Sequence, residues 1–133
     1  MNNFKPDGYN SVSPYLVMHD ADKLIAFIER VFGGRIVRRV DRSDGKILHA
    51  EIKLHDSIIM FAEANENYPP MIALLHVYVS DVSAVYKRAL EYGCEGAEEP
   101  VRKDGEEDKR GMFRDFAGNM WSITTQEKSA NKK

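Results

Sequence analysis

In the run KILHAEIKL, residues 46–54, His49 and Glu51 stand two positions apart. Strand alternation puts both on one face, where an imidazole beside a carboxylate can hold a proton or hydrogen-bond a substrate. Lys53 continues that face. If the face lines a cavity, the pair is functional; if it meets solvent, the three residues are the polar side of an amphipathic strand, and both readings are open. His76 opens a second alternating stretch in LLHVYVSDVSAVYKRALEYG, residues 74–93. A lone histidine there reads as a structural side chain bonded to a neighbour, as a ligand-binding or acid-base group, or as a metal ligand. His76, Glu51 and His49 are therefore the candidates for catalysis. His19 and His55 fall in turns beside Asp20 and Asp56, where solvation accounts for them. Arg114 beside Asp115 reads more economically as an ion-pair or turn residue than as an anion site.

The elements that must position these groups alternate in type. SVSPYLVM, residues 11–18, reads as a strand, and a helix follows with Leu24, Ile25, Phe27, Ile28, Val31 and Phe32 at helical spacing. Asp20 or its neighbour is expected to cap that helix, and Gly33-Gly34 to stop it. RIVRRV, KILHAEIKL and IIMFAE then read as three strands, with Leu48, Ala50, Ile52 and Leu54 opposite the His49 face. The polar segment 64–71, with two prolines, is the expected linker. The order repeats: strand ALLHVYVS, a helix from about Asp81 to Tyr92, then strands EEPVRK, GMFRDF and MWSITTQ. The charged run 101–111 reads as a solvated hairpin tip. Laying Asp20 on Asp81 superposes the halves at an offset of 61 residues. One domain of two modules is expected, about 10–63 and about 72–126, with a polar tail at 127–133.

Composition narrows the function classes. The 133 residues are 43% hydrophobic and 30% charged, which suits a globular chain with its own core. Nineteen Lys and Arg against 21 Asp and Glu leave a net charge of −2, so no broad attraction to nucleic acid is expected. No apolar run approaches the length of a membrane span, and no membrane partner is expected. Cys94 is the only cysteine, which excludes an internal disulfide and any multi-cysteine metal site. The opening MNNFKPDGYN lacks the regions of a signal peptide, and a cytoplasmic setting is expected.

Three separated motifs carry a family resemblance. PYLVMHDADKLIAFIERVFGGR, LHVYVSDVSAVYKRALEYG and FRDFAGNMWSI resemble, in this order, the first strand and helix, the second strand and helix, and the closing hairpin of the vicinal oxygen chelate superfamily. That superfamily includes glyoxalase I, bleomycin-resistance proteins, fosfomycin-modifying enzymes and extradiol dioxygenases; the pair HAEIKLHDSIIMFAE is similar to its PhnB-like branch. The resemblance spans about residues 10 to 126. It implies an α+β fold of two tandem βαβββ modules forming a cup-shaped mixed sheet. In metal-using members the ligands come from the first and fourth strands of each module, at positions that fall here on Ser13, Met60, Leu74 and Ser122. None is His or a carboxylate, so neither a metal nor another cofactor is expected. His76 shares a strand face with Leu74, so it is expected to reach the cup.

The resemblance thus implies a protein that binds a small, partly apolar molecule. Ser13, Tyr15, Met60, Leu74, His76, Tyr78 and Ser122 are its candidate contacts. The alternative is a metal-dependent or metal-free lyase, isomerase or transferase related to glyoxalase I. A homodimer is expected, because the superfamily commonly completes its cups by pairing modules within or between chains. Trp121, of opposite strand parity to Ser122, is expected to pack under a helix.

Overall fold

A computed structural model describes residues 3–127, so most of the polar tail at 127–133 lies outside the described residues. The chain divides into two compact units at Met71/Ile72.

In the first unit, strand β1 (Tyr15–Met18) leads to helix α1 (Asp22–Phe32), then to β2 (Arg35–Asp41), β3 (Ile47–Leu54) and β4 (Ser57–Glu63). The sheet order is β1-β4-β3-β2, with β1 parallel to β4 and the other pairs antiparallel. Alternation sorts the side chains. Leu16, Met18, Ala50, Ile52, Ile59 and Phe61 are buried with the apolar stripe of α1, namely Leu24, Phe27, Ile28, Val31 and Phe32. Each large apolar side chain so enclosed contributes roughly 2 kcal/mol. The opposite sheet face carries Tyr15, Val17, His49, Glu51, Met60 and Ala62, since Tyr15 pairs with Met60 and Glu51 pairs with Met60 from the other side.

One local expectation for this unit is corrected and another is narrowed. The first strand begins at Tyr15, not Ser11: the Asn10 amide donates to the Val12 carbonyl and to Ser13 Oγ, folding residues 10–13 into a bend ahead of Pro14. Of Asp20 and its neighbour, it is the neighbour that stands at the N-cap of helix α1. That residue, Ala21, has no side-chain oxygen, and Asp20 takes a left-handed conformation (φ 59°). Glu63, at the end of β4, accepts instead from the backbone N–H groups of Asp20 and Ala21, each at 3.0 Å. At the other end Gly33 turns left-handed (φ 75°), and the Gly34 N–H closes on the Ile28 carbonyl.

The second unit repeats the order with β5 (Leu74–Tyr78), α2 (Val82–Tyr92), β6 (Glu95–Arg102), β7 (Asp108–Arg114) and β8 (Met120–Gln126), in sheet order β5-β8-β7-β6. Here Asp81 is the N-cap and accepts from the Ala84 N–H. Strands β6 and β7 both begin earlier than expected, because pairing between them runs from Glu95 opposite Arg114 to Arg102 opposite Lys109 beside the charged turn. Residues Asp115 and Phe116 fall outside β7, in the turn that precedes β8. Trp121 is fully buried in this unit, and its indole N–H donates to the Asp115 carboxylate at 2.9 Å. That carboxylate also accepts from the Ala117 and Asn119 backbone and from the Asn119 amide, which explains why it tolerates burial. The architecture is thus α+β, two tandem βαβββ modules.

Candidate functional site

A cavity in the first unit has a volume of about 510 Å³. Its wall is mostly apolar and aromatic: Tyr15, Val17, Ile47, Leu48, Ala62, Tyr68 and Met71. Local structure places each group. Between Val40 and Asp41 the β2–β3 register shifts, so Val40 faces His49 while Asp41 faces Ile47. The resulting bulge leaves Leu48 unpaired and re-aims the start of β3 toward the cavity. Tyr68 is set by a turn in which Asn65 Oδ1 accepts from the N–H groups of Asn67 and Tyr68, each at 2.8 Å. Met71 bridges to Val17 and donates its N–H to the Val17 carbonyl at 3.1 Å. Three polar residues complete the lining: Asn65, Arg42, paired with Asp44 at 3.1 Å, and Glu63, already committed to the start of α1.

Beside the cavity four side chains form a continuous hydrogen-bonded chain. The Tyr15 hydroxyl lies 3.0 Å from His49 Nδ1, His49 Nε2 lies 2.8 Å from Glu51 Oε2, and the Tyr9 hydroxyl donates to Glu51 Oε1 at 2.5 Å. Glu51 is buried, His49 is half-buried, and Tyr15 is 47% exposed. Burial pushes the Glu51 carboxyl upward, but the hydrogen bonds from Tyr9 and His49, with the charges of His49 and Arg38, outweigh it and hold it below its usual value. Glu51 is therefore an anion at neutral pH, which requires the proton on His49 Nε2. In its neutral form the ring then offers the Nδ1 lone pair to the Tyr15 hydroxyl. Burial, followed by the neighbouring Tyr68 and Glu51, raises the Tyr15 pKa. The bond to Glu51, then burial, raises that of Tyr9.

The second unit carries different chemistry at equivalent positions. His76 stands opposite Ser122 and its Nδ1 lies 3.1 Å from Ser122 Oγ; its ring meets Tyr78 edge-on at 5.2 Å. His76, Leu74 and Tyr78 are exposed on one sheet face. Ser122 lines a smaller cavity of about 300 Å³ with Val101, Met112 and the charged Glu98, Glu106 and Arg110. Cys94 is half-buried, and burial, then the charge of Asp115, pushes its thiol up to about 11, which makes it a poor nucleophile.

Of the sequence candidates, the structure brings Tyr15, His49 and Glu51 together, and joins His76 to Ser122. Ser13, which bonds to Asn10, and Met60 are half-buried and do not line the 510 Å³ cavity. Tyr9, Tyr68 and Met71 escaped the sequence reading, and Leu48, expected on the buried face with Ala50, is instead exposed at the bulge on the cavity wall. The aromatic Tyr68 within a polar, proline-containing segment was the one signal available. The four positions that the resemblance assigns to ligands, Ser13, Met60, Leu74 and Ser122, carry a hydroxyl, a thioether, an isobutyl group and a second hydroxyl, none of them a usual donor to a divalent cation. Among the described residues no three of His, Cys, Asp and Glu are grouped so as to hold a metal ion.

Two βαβββ units with this sheet order define a fold class, and sequence assigns the family. Residues 9–123 match the Glyoxalase/Bleomycin resistance protein/Dioxygenase superfamily, and the chain belongs to it. It is 28% identical over 130 residues to the uncharacterized protein Mb0911c of Mycobacterium bovis, covering 85% of this chain and 81% of that protein. Among solved structures, TioX from Micromonospora sp. ML1 superposes with a TM-score of 0.75 at 24% identity, covering 88% of this chain and 98% of that one. A PhnB protein from Bacillus cereus gives 0.69 at 18% identity, covering 87% and 99%. TnmS3, an antibiotic binding protein from Streptomyces sp. CB03234, gives 0.66 at 18%, covering 88% and 97%. At these identities the likenesses speak for the fold.

Proposed function

We propose that this chain binds a small, partly apolar molecule, without the metal used by many of its relatives, and that the first-unit cavity is where the molecule sits. The observation that carries this reading is the cavity itself. It is large enough for a compact organic molecule, mostly apolar, and supplied with few polar groups, which is the usual construction of a ligand site. The antibiotic-binding relative lends support at the level of the fold. Tyr15 is the proposed contact shared with the sequence reading; Tyr68 and Met71 join it. His76, Tyr78, Leu74 and Ser122 are proposed as a secondary surface in the second unit, and a cytoplasmic setting fits a chain whose one cysteine is a thiol. A second reading, a metal-free lyase, isomerase or transferase, draws on the bonded His49–Glu51 pair. The test is a thermal-shift screen of aromatic antibiotics and metabolites on the native chain and on Ala62→Trp, which fills the cavity from its sheet wall. Hits should lose more than about tenfold in affinity in the variant. Hits that bind both proteins equally would place the ligand elsewhere.

A further inference from the structure

The chain from Tyr15 to Tyr9 has the form of a proton relay with one end at a cavity. Tyr15 alone among the four residues lines that cavity, and its hydroxyl is already engaged with His49 as donor, so what it offers an occupant is an oxygen lone pair. Behind it the imidazole is held in one tautomer by a buried carboxylate, and that carboxylate is steadied by a second tyrosine from 42 residues away in sequence. A structural carboxylate on a sheet needs no such directional order. An amide or hydroxyl in the place of His49 would satisfy Glu51 without linking it to the cavity.

We propose that Tyr15, His49, Glu51 and Tyr9 form a relay that takes the proton of a weakly acidic hydroxyl compound, a phenol or an enol, and holds the compound in the first-unit cavity as its anion. The inference rests on the reading of that cavity as a ligand site. In the step, the ligand O–H bond breaks and its proton passes to Tyr15 Oη, while the original Tyr15 proton passes to His49 Nδ1. The ligand becomes an anion accepting from Tyr15, and His49 becomes a cation between Tyr15 and the Glu51 carboxylate, so charge and protons balance. The charged groups facing the relay are Glu51 within it, Arg38 on β2 and, on the cavity wall, Arg42 and Glu63; Tyr68 is the further titratable neighbour. The buried Glu51 carboxylate stands 2.8 Å from Nε2 of the ring that takes the proton, and its own negative charge is compensated by Arg38 and two donors. The ligand class follows from matching acidity. An aliphatic alcohol is too weak an acid to release its proton to an imidazole, and a carboxylic acid is already ionised at neutral pH and needs no relay. The aromatic rings of Tyr15 and Tyr68 suit a flat conjugated ring.

The probes are 4-nitrophenol, whose visible band reports the phenolate, and its methyl ether 4-nitroanisole, which has the same ring and no acidic proton. Binding is followed by calorimetry and absorbance on the native chain, Tyr15→Phe and His49→Gln. Both substitutions lie at solvent-reachable positions, and melting curves check that each variant folds. The native chain should bind nitrophenol about tenfold more tightly than nitroanisole and show the phenolate band at a pH where the free compound is mostly phenol. Both effects should vanish in either variant, each of which should then bind nitrophenol and nitroanisole within about twofold of one another. Nitrophenol bound without the phenolate band, or a band that persists in His49→Gln, overturns the relay and leaves the cavity reading standing. Failure of the native chain to bind either compound overturns the cavity reading and the relay together.

Discussion

Glu51 shows how a buried carboxylate is made tolerable on a sheet. Its two oxygens take separate donors, Tyr9 and His49, and Arg38 supplies a nearby positive charge. Hydrogen bonds to a charged group contribute more than neutral ones, so Glu51→Gln should lose about 2 kcal/mol at neutral pH. The pH dependence follows from the lowered pKa. Folding favours the ionised carboxyl, so its contribution is full above the unfolded-state value and is lost as pH falls through the folded one. The gap between native and Glu51→Gln proteins in urea midpoints should therefore narrow as pH drops below the ordinary carboxyl range. A gap that stays constant down to pH about 3 would show that packing, not charge, is what the substitution removes.

The two helices, though equivalent in the repeat, begin differently, and this has an energetic consequence at the scale of elements. Helix α2 uses its own Asp81 as N-cap, a local bond between residues three apart. The start of α1 is held by Glu63, more than 40 residues away, which ties the helix to the end of β4. Asp81→Ala should cost about 1 kcal/mol, the usual value of an N-cap. Glu63→Ala should cost about twice that, because it deprives two N–H groups of an ionised acceptor, one of them on the fully buried Ala21. Chemical denaturation of the two variants ranks them, and an equal or reversed order would refute the cross-element role of Glu63. Close packing limits the far end of α1 as well: a Cβ on Gly34 would stand 2.8 Å from the Lys53 carbonyl oxygen, a backbone atom that cannot swing aside.

For the whole molecule, the exposed apolar side chains of the second unit are the main feature that its own core leaves unexplained. Ile72, Leu74 and Tyr78 are 74%, 70% and 59% exposed, and the latter two share a sheet face with His76. A sheet face of this kind, helix-covered on its other side, is suited to pairing with a second copy. Light scattering at micromolar concentration should give twice the chain mass of 15.2 kDa, and Leu74→Glu should reduce it to the monomer. A native mass of 15.2 kDa would refute the homodimer.

The sequence by itself determined the elements and their order, because hydrophobic period is a local property. The period-two run of Ala50, Ile52 and Leu54, the helical stripe from Leu24 to Phe32 and the glycines at 33 and 93 are all readable without neighbours, as is the 61-residue repeat. It also put His49 and Glu51 on one face, though not which face. Only the tertiary structure decided that, since helix α1 covers the Ala50 face and so leaves the His49 face open to Tyr15 and Tyr9. The same holds for Glu63 at the start of α1, for Tyr68 and Met71 on the cavity wall, and for the bulge at Leu48. These features depend on strand register and on bonds between residues tens of positions apart, and no periodicity along the chain encodes which distant side chains a register will bring together.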